Sequence, residues 1–136
     1  MDNEGVITVL DNEYASLYYH SKEKIIHHQF KKFIFGEPFR QVLRMHLELM
    51  GRYGGCKILS DDRGNGPLTP EDAEWAVSTY RPQIVAMGKK YWAVVLPELV
   101  LGKMNMRRWI KVYADMGVKA EVFSDPDEAF QWLASQ

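Results

Sequence analysis

Two periodicities divide the chain, one of two residues and one of three to four. Residues 6–10 are apolar and β-branched, and Asp11-Asn12-Glu13 follows them as a turn. Residues 14–20 and 24–34 flank the polar Ser21-Lys22-Glu23-Lys24, which suits a hairpin. Setting Ser21 opposite Lys24 places Ile26 opposite Tyr19 and His28 opposite Leu17. One face then carries Ala15, Leu17, Tyr19, Ile26, Phe30 and Ile34. The other carries Ser16, Tyr18, His20, His27 and Gln29. This predicts a half-buried antiparallel sheet with one wetter side.

From Pro38 the period changes. Phe39, Val42, Leu43, His46, Met50 and Tyr53 recur at helical spacing, with Pro38 suited to the first turn and Gly54-Gly55 to the end. A strand follows from Cys56. Thr69-Pro70-Glu71-Asp72 then combines an N-cap, a proline at the first helical position and acids in the first turn. Arg81-Pro82 bends or divides that helix before Gly88. Residues 91–96 form a nearly continuous apolar run, as expected of a strand covered on both faces. Met106, Trp109, Ile110 and Tyr113 stripe a helix over residues 104–116, which Gly117 ends. Residues 119–123 read as the last strand, and Asp125-Pro126-Asp127-Glu128 caps a short helix through Leu133. The order β-β-β-α-β-α-β-α-β-α predicts an α/β fold. Its mixed sheet has antiparallel N-terminal strands and then β-α units, with right-handed crossovers and about four flanking helices.

Composition narrows the function more than it names one. The 136 residues suit a single domain spanning 1–136, and 46% hydrophobic with 26% charged residues is ordinary for a globular chain. The net charge is −1, and the basic pairs Lys31-Lys32, Lys89-Lys90 and Arg107-Arg108 read as solvated faces rather than a phosphate-tracking stripe. Nucleic acid is therefore not an expected partner. The single cysteine, Cys56, excludes an internal disulfide and a multi-cysteine metal site, and its place at the start of a strand suits a buried structural thiol. Residues 1–5 lack the segments of a signal peptide, and no apolar run approaches the ~20 residues that span a bilayer, so a cytoplasmic protein is expected.

The most informative stretch runs from Cys56 to Val77, where an apolar strand ends in two acids, passes a glycine-rich loop and restarts as a capped helix. An α/β domain keeps its working surface beyond the carboxyl end of such a strand. Asp61, Asp62 and Arg63 emerge there with Asn65 and Thr69 nearby. Two carboxylates could hold a cation, act in acid–base chemistry or meet a basic patch on another protein. The structural alternative, which ranks first, is loop stapling, in which an Asp accepts backbone N–H groups and Arg63 pairs with an acid. Gly64-Asn65-Gly66 lacks both the Walker lysine and the Gly-x-Gly-x-x-Gly spacing, so its glycines read as turn positions with positive φ.

The element order, the run from Trp92 to Pro97 leading to Gly102-Lys103-Met104, and Ser60-Asp61-Asp62-Arg63 with the segment from Leu68 to Trp75 together resemble the bacterial SpoIIAA-like group. These are small relatives of the STAS domain (sulfate transporter and anti-sigma factor antagonist), also described as STAS/SEC14-like. The resemblance covers the chain from about Asn12 and rests on topology and two junctions. It implies a mixed sheet flanked by helices, and a regulatory or binding role without established catalysis. Anti-sigma antagonists of the wider superfamily carry a phosphorylatable serine at the start of the helix after the equivalent strand, where Thr69 is the nearest residue here. Their Asp-Ser-Ser-Gly pattern is absent, and Glu71 and Asp72 would repel a phosphate, so Thr69 reads first as an N-cap hydroxyl worth about 1 kcal/mol.

The other chemistry-bearing residues read mainly as structure. His20 and His27 share a face as diagonal neighbours, but no third ligand completes a metal set, and His46 on a helical apolar stripe suits a hydrogen-bonded, partly buried imidazole. No metal or cofactor is expected. The chain has seven Met and four Trp, and residues 97–106 hold more apolar side chains than a solvated connection needs. Leu99, Leu101, Met104 and Met106 are thus candidates for a homodimer interface or an apolar pocket.

The resulting expectation is a non-catalytic binding domain acting on a partner protein, on itself or on a small ligand. The alternatives are a carrier or sensor of an apolar or acyl ligand, in line with the SEC14 comparison, and, ranked last, an enzyme using Asp61 and Asp62. A carrier should enclose an apolar pocket of several hundred Å³. An enzyme should bring a histidine within hydrogen-bond reach of Asp61 or Asp62 in a cleft.

Overall fold

The hairpin sets the register from which the rest of the sheet grows. In a computed structural model that describes residues 5–136, β1 (Val6–Asp11), β2 (Ala15–His20) and β3 (Ile25–Phe30) form an antiparallel meander. Tyr19 faces Ile26 and Leu17 faces His28, the register that the polar turn predicts. Lys24 closes that turn in the left-handed region at φ 60°, and its N–H donates to the His20 carbonyl at 2.7 Å. The residues preceding Gly5, on which most of the signal-peptide reading rests, lie outside the described part.

Three parallel strands extend the sheet in chain order: β4 (Lys57–Asp61), β5 (Tyr91–Val95) and β6 (Lys119–Phe123). The expected α/β architecture, antiparallel first and parallel afterwards, is the one found. Residues paired across a ladder share a face, so Leu17, His28, Ser60, Val94 and Val122 form one row. Tyr18, His27, Leu59, Ala93 and Glu121 form a row on the opposite face.

Both faces are covered. On the first, α1 (Glu37–Tyr53) packs Phe39, Val42 and Leu43 with Leu17, Ile26 and Ile58. On the second, α6 (Pro126–Ala134) packs Ala129 and Leu133 with Ile25, Leu59 and Ala93. The expected wetter side of the hairpin is therefore corrected: Ser16, His20 and His27 are all buried. Phe130 of α6 meets the His20 ring edge-on at 4.8 Å, a contact made from more than a hundred residues away in sequence and hidden from any local pattern.

The helix that starts after Thr69 is divided into more parts than four helices would require. It runs as α2 (Pro70–Trp75), a π-helical turn (Ala76–Tyr80) and α3 (Arg81–Ala86). The division falls where Arg81-Pro82 predicts it. Pro82 has no N–H for the Ser78 carbonyl and its ring crowds that group, so the backbone widens and the Arg81 N–H reaches back to Ala76. A short α4 (Glu98–Leu101) precedes α5 (Met106–Ala114), which packs Trp109 and Tyr113 on Trp92 of β5.

The loop after β4 corrects a second expectation. Neither Gly64 nor Gly66 has positive φ. Gly64 is instead required for close approach, because a Cβ there would collide with the Phe30 carbonyl and crowd that of Lys31 at 2.9 Å. Both neighbours are backbone and cannot swing aside. Gly64→Ala is therefore expected to destabilise the fold by about 1–3 kcal/mol in urea unfolding. Gly66→Ala, whose added Cβ meets only the flexible Phe33 ring at 3.6 Å, is the control expected to cost less.

Candidate functional site

A cavity of about 570 Å³ opens between the first face of the sheet and the helices, running from Lys89 and Trp92 at the start of β5 to the carboxyl ends of β3, β4 and β5. Phe30, Phe39 and Leu43 wall one side, and the widened turn contributes Ala76, Val77 and Tyr80. Trp92, Leu96, Pro97 and Val100 close another side. The walls are mostly apolar, and the polar groups that reach them converge from only a few positions.

Burial explains how those groups are arranged. The His46 imidazole on α1 is 1% exposed, so both ring nitrogens need partners inside the protein. Its Nδ1 lies 2.8 Å from the Tyr80 hydroxyl and its Nε2 lies 3.0 Å from His28 Nδ1. His28 Nε2 lies 2.7 Å from Asp62 Oδ1. One assignment of protons satisfies every group with both rings neutral. Tyr80 O–H donates to His46, His46 Nε2–H donates to His28, and His28 Nε2–H donates to the Asp62 carboxylate. Burial, aided by the neighbouring His28 and Lys89, holds His46 well below its ordinary value, which keeps it neutral. Burial, with Asp62 adding, pushes the Tyr80 phenol far above its usual range.

The acidic junction splits in two. Asp61 ends β4 on the α6 side of the sheet, where Arg63 grips it with Nε on Oδ1 at 2.9 Å and Nη2 on Oδ2 at 2.8 Å. That is the stapling geometry. Asp62 has the parity of Ser60 and joins the cavity. Asn65 Oδ1 accepts from the N–H groups of Ile34 at 3.1 Å and Gly66 at 3.0 Å, so it pins the loop. Thr69 Oγ1 accepts from Asp72 N–H at 3.2 Å as the helix cap. The buried Asp72 carboxylate takes Gly36 N–H and Arg40 Nε, tying the start of α1 to the start of α2. Of the five residues, Asp62 and Asn65 both line the cavity, whereas Asp61, Arg63 and Thr69 do not, so they lie on one loop without forming one site.

Of the apolar candidates, Leu99 is 82% exposed, while Leu101, Met104 and Met106 are half-buried and none lines the cavity. The segment reaches inward through Leu96, Pro97 and Val100 instead. Cys56 is half-buried rather than buried. His20 Nε2 and His27 Nδ1 meet at 3.1 Å, and burial takes His27 down to about 3. Among the described residues no group of three His, Cys, Asp or Glu is placed to hold a metal.

Lys89 overturns the reading of Lys89-Lys90 as a solvated pair. It is 7% exposed and lines the cavity, with its ammonium 3.9 Å from the centre of the Trp92 ring and 6.0 Å from that of Tyr80. No local sequence signal marks it. Tyr80 could have been found, because Ala73, Ala76, Tyr80 and Ile84 recur at helical spacing. Burial, with the nearby Arg81 adding and Asp62 opposing, lowers the Lys89 ammonium from 10.5 to about 7.

The cost of ionised Lys89 has a definite pH dependence. Below pH 7 the folded and unfolded chains both carry the proton, and the folded chain bears the whole burial cost, about 5 kcal/mol from that displacement. Between about 7 and 10.5 the unfolded chain keeps a proton that the folded chain has released, so this contribution to stability rises with pH. Lys89→Met is therefore expected to be more stable than the native chain below pH 7, with the gap closing as pH rises toward 10.5. Paired urea titrations across that range check it, and a pH-independent gap would contradict it.

No family model, no curated protein and no solved structure matches this chain.

Proposed function

We propose that this chain is a non-catalytic binding domain whose ligand is a small, largely apolar molecule held in the cavity between the sheet and its helices. The cavity itself carries the reading. At about 570 Å³ it lies within the range of about 300–1,000 Å³ usual for small-molecule sites, and its apolar walls admit only a few convergent polar groups. It reaches the carboxyl ends of the strands beside a π-helical turn, in keeping with where α/β folds hold ligands. The reading develops the carrier side of the STAS/SEC14-like resemblance. A docking role for a partner protein or a second copy rests on exposed Leu99 and Val100 and has less behind it.

A second reading, an acid–base enzyme, is favoured by one observation: His28 Nε2 stands 2.7 Å from Asp62 Oδ1 at the cavity wall. It differs from the first in requiring that a bound molecule be chemically changed.

Decanol, which is apolar with one hydroxyl, is a direct probe. It is expected to raise the melting temperature in a saturable way, adding about 2.7 kcal/mol of stability at a concentration of 100 Kd. Ala73→Trp, which fills the cavity from α2, should abolish the rise while far-UV circular dichroism stays native. An equal rise in the filled variant would place decanol elsewhere and count against the proposal.

A further inference from the structure

We infer that the cavity selects an amphiphile with a single negative charge, a carboxylate on an apolar chain, and that Lys89 and Arg81 receive its head. This rests on the ligand-binding reading above. The first support is an ammonium on a buried side chain that faces the cavity without an anion. Among the described residues, Lys89 Nζ has aromatic faces for partners and neither an ion pair nor a hydrogen-bond acceptor. Buried cations are ordinarily paired. Arg81 is half-buried at the same cavity: its guanidinium lies 5.4 Å from the Tyr113 ring centre and donates weakly to that hydroxyl at 3.4 Å, and among the described residues it makes no ion pair. The two cations stand close enough to repel each other.

Charge balance fixes the valence. The cavity is lined by two cations, Lys89 and Arg81, and one carboxylate, Asp62, which leaves one net positive charge. The Asp62 carboxylate is already engaged by His28. A monoanion restores neutrality, and a dianion would exceed it. The apolar walls formed by Phe39, Leu43 and Ile84 suit the remainder of the molecule. The groups that face Lys89 are Arg81, Asp62, His46, Tyr80 and the Trp92 ring. His46 and Tyr80 are neutral, and Asp62 offsets one of the two cations, so one positive charge is left for a carboxylate to meet.

Titration of the whole protein with decanoate and with decanol of the same chain length, followed by Trp fluorescence at a pH below 7, tests the inference. A charge-assisted hydrogen bond corresponds to roughly a tenfold to hundredfold preference, so decanoate is expected to bind tighter than decanol by about that factor. The preference should shrink as pH rises past 7 and Lys89 loses its proton. Lys89→Met should bring the ratio of the two affinities to about one, and Arg81→Gln should lower it part of the way. Equal binding of the two probes by the native protein would overturn the anion inference and leave the cavity reading standing. Saturable binding of neither would overturn both, and a preference that survives Lys89→Met would overturn the role given to that residue.

Discussion

The hydrogen-bond chain from Tyr80 through His46 and His28 to Asp62 is the constraint on which the site depends. It joins four separate parts of the chain: the π-helical turn, α1, β3 and the loop after β4. None of its members can be dropped cheaply, because a buried nitrogen left without a partner costs about 1–3 kcal/mol. With the protons so assigned, the donors run in one direction, toward Asp62. That arrangement places polar rings, His28 from the sheet and His46 and Tyr80 from the helices, between the two layers. An aliphatic core at the same positions could close over the gap. The polar chain fixes the spacing, and the cavity lies beside it.

The widened backbone at Ala76–Tyr80 and the close approach at Gly64 serve the same end. Pro82 forces the first by withholding a hydrogen bond from the Ser78 carbonyl, and side chains add donors to carbonyls on either side of it, with Ser78 Oγ on Glu74 at 2.7 Å and Gln83 Nε2 on Thr79 at 3.0 Å. Gly64 lets the loop after β4 lie against the end of β3, which brings Asp62 over His28. Lys89 then adds a charge with which the one carboxylate on the walls, Asp62, makes no ion pair among the described residues. Its cost to the empty fold and its value to an anionic ligand are two aspects of one desolvated ammonium.

What was legible in the sequence was local. The polar turn at Ser21–Lys24 set the hairpin register, the caps at Thr69 and Asp125 marked helix starts, and Arg81-Pro82 located the break. Asp61 and Arg63 read as a staple and are one. The misses were of a different kind. Burial of His20 and His27 depends on α6, which the hairpin's own alternation cannot reveal. The pairing of His28 with His46 spans eighteen positions and a change of element type. Lys89 sits beside an exposed Lys90 in a dipeptide that looks solvated, and only the packing of α5 and the π-helical turn shows which of the two is enclosed. Asp61 and Asp62 were weighed as a pair of carboxylates, although strand alternation already sends neighbours to opposite faces.

The central claim is that the cavity is a place for a small molecule, and native mass spectrometry of the protein released gently from cells tests it most directly. The native chain and the cavity-filled Ala73→Trp variant are to be recorded side by side. The expected result is a non-covalent added mass on the native chain that is missing from the variant. Two bare chains, or the same added mass on both, would contradict it.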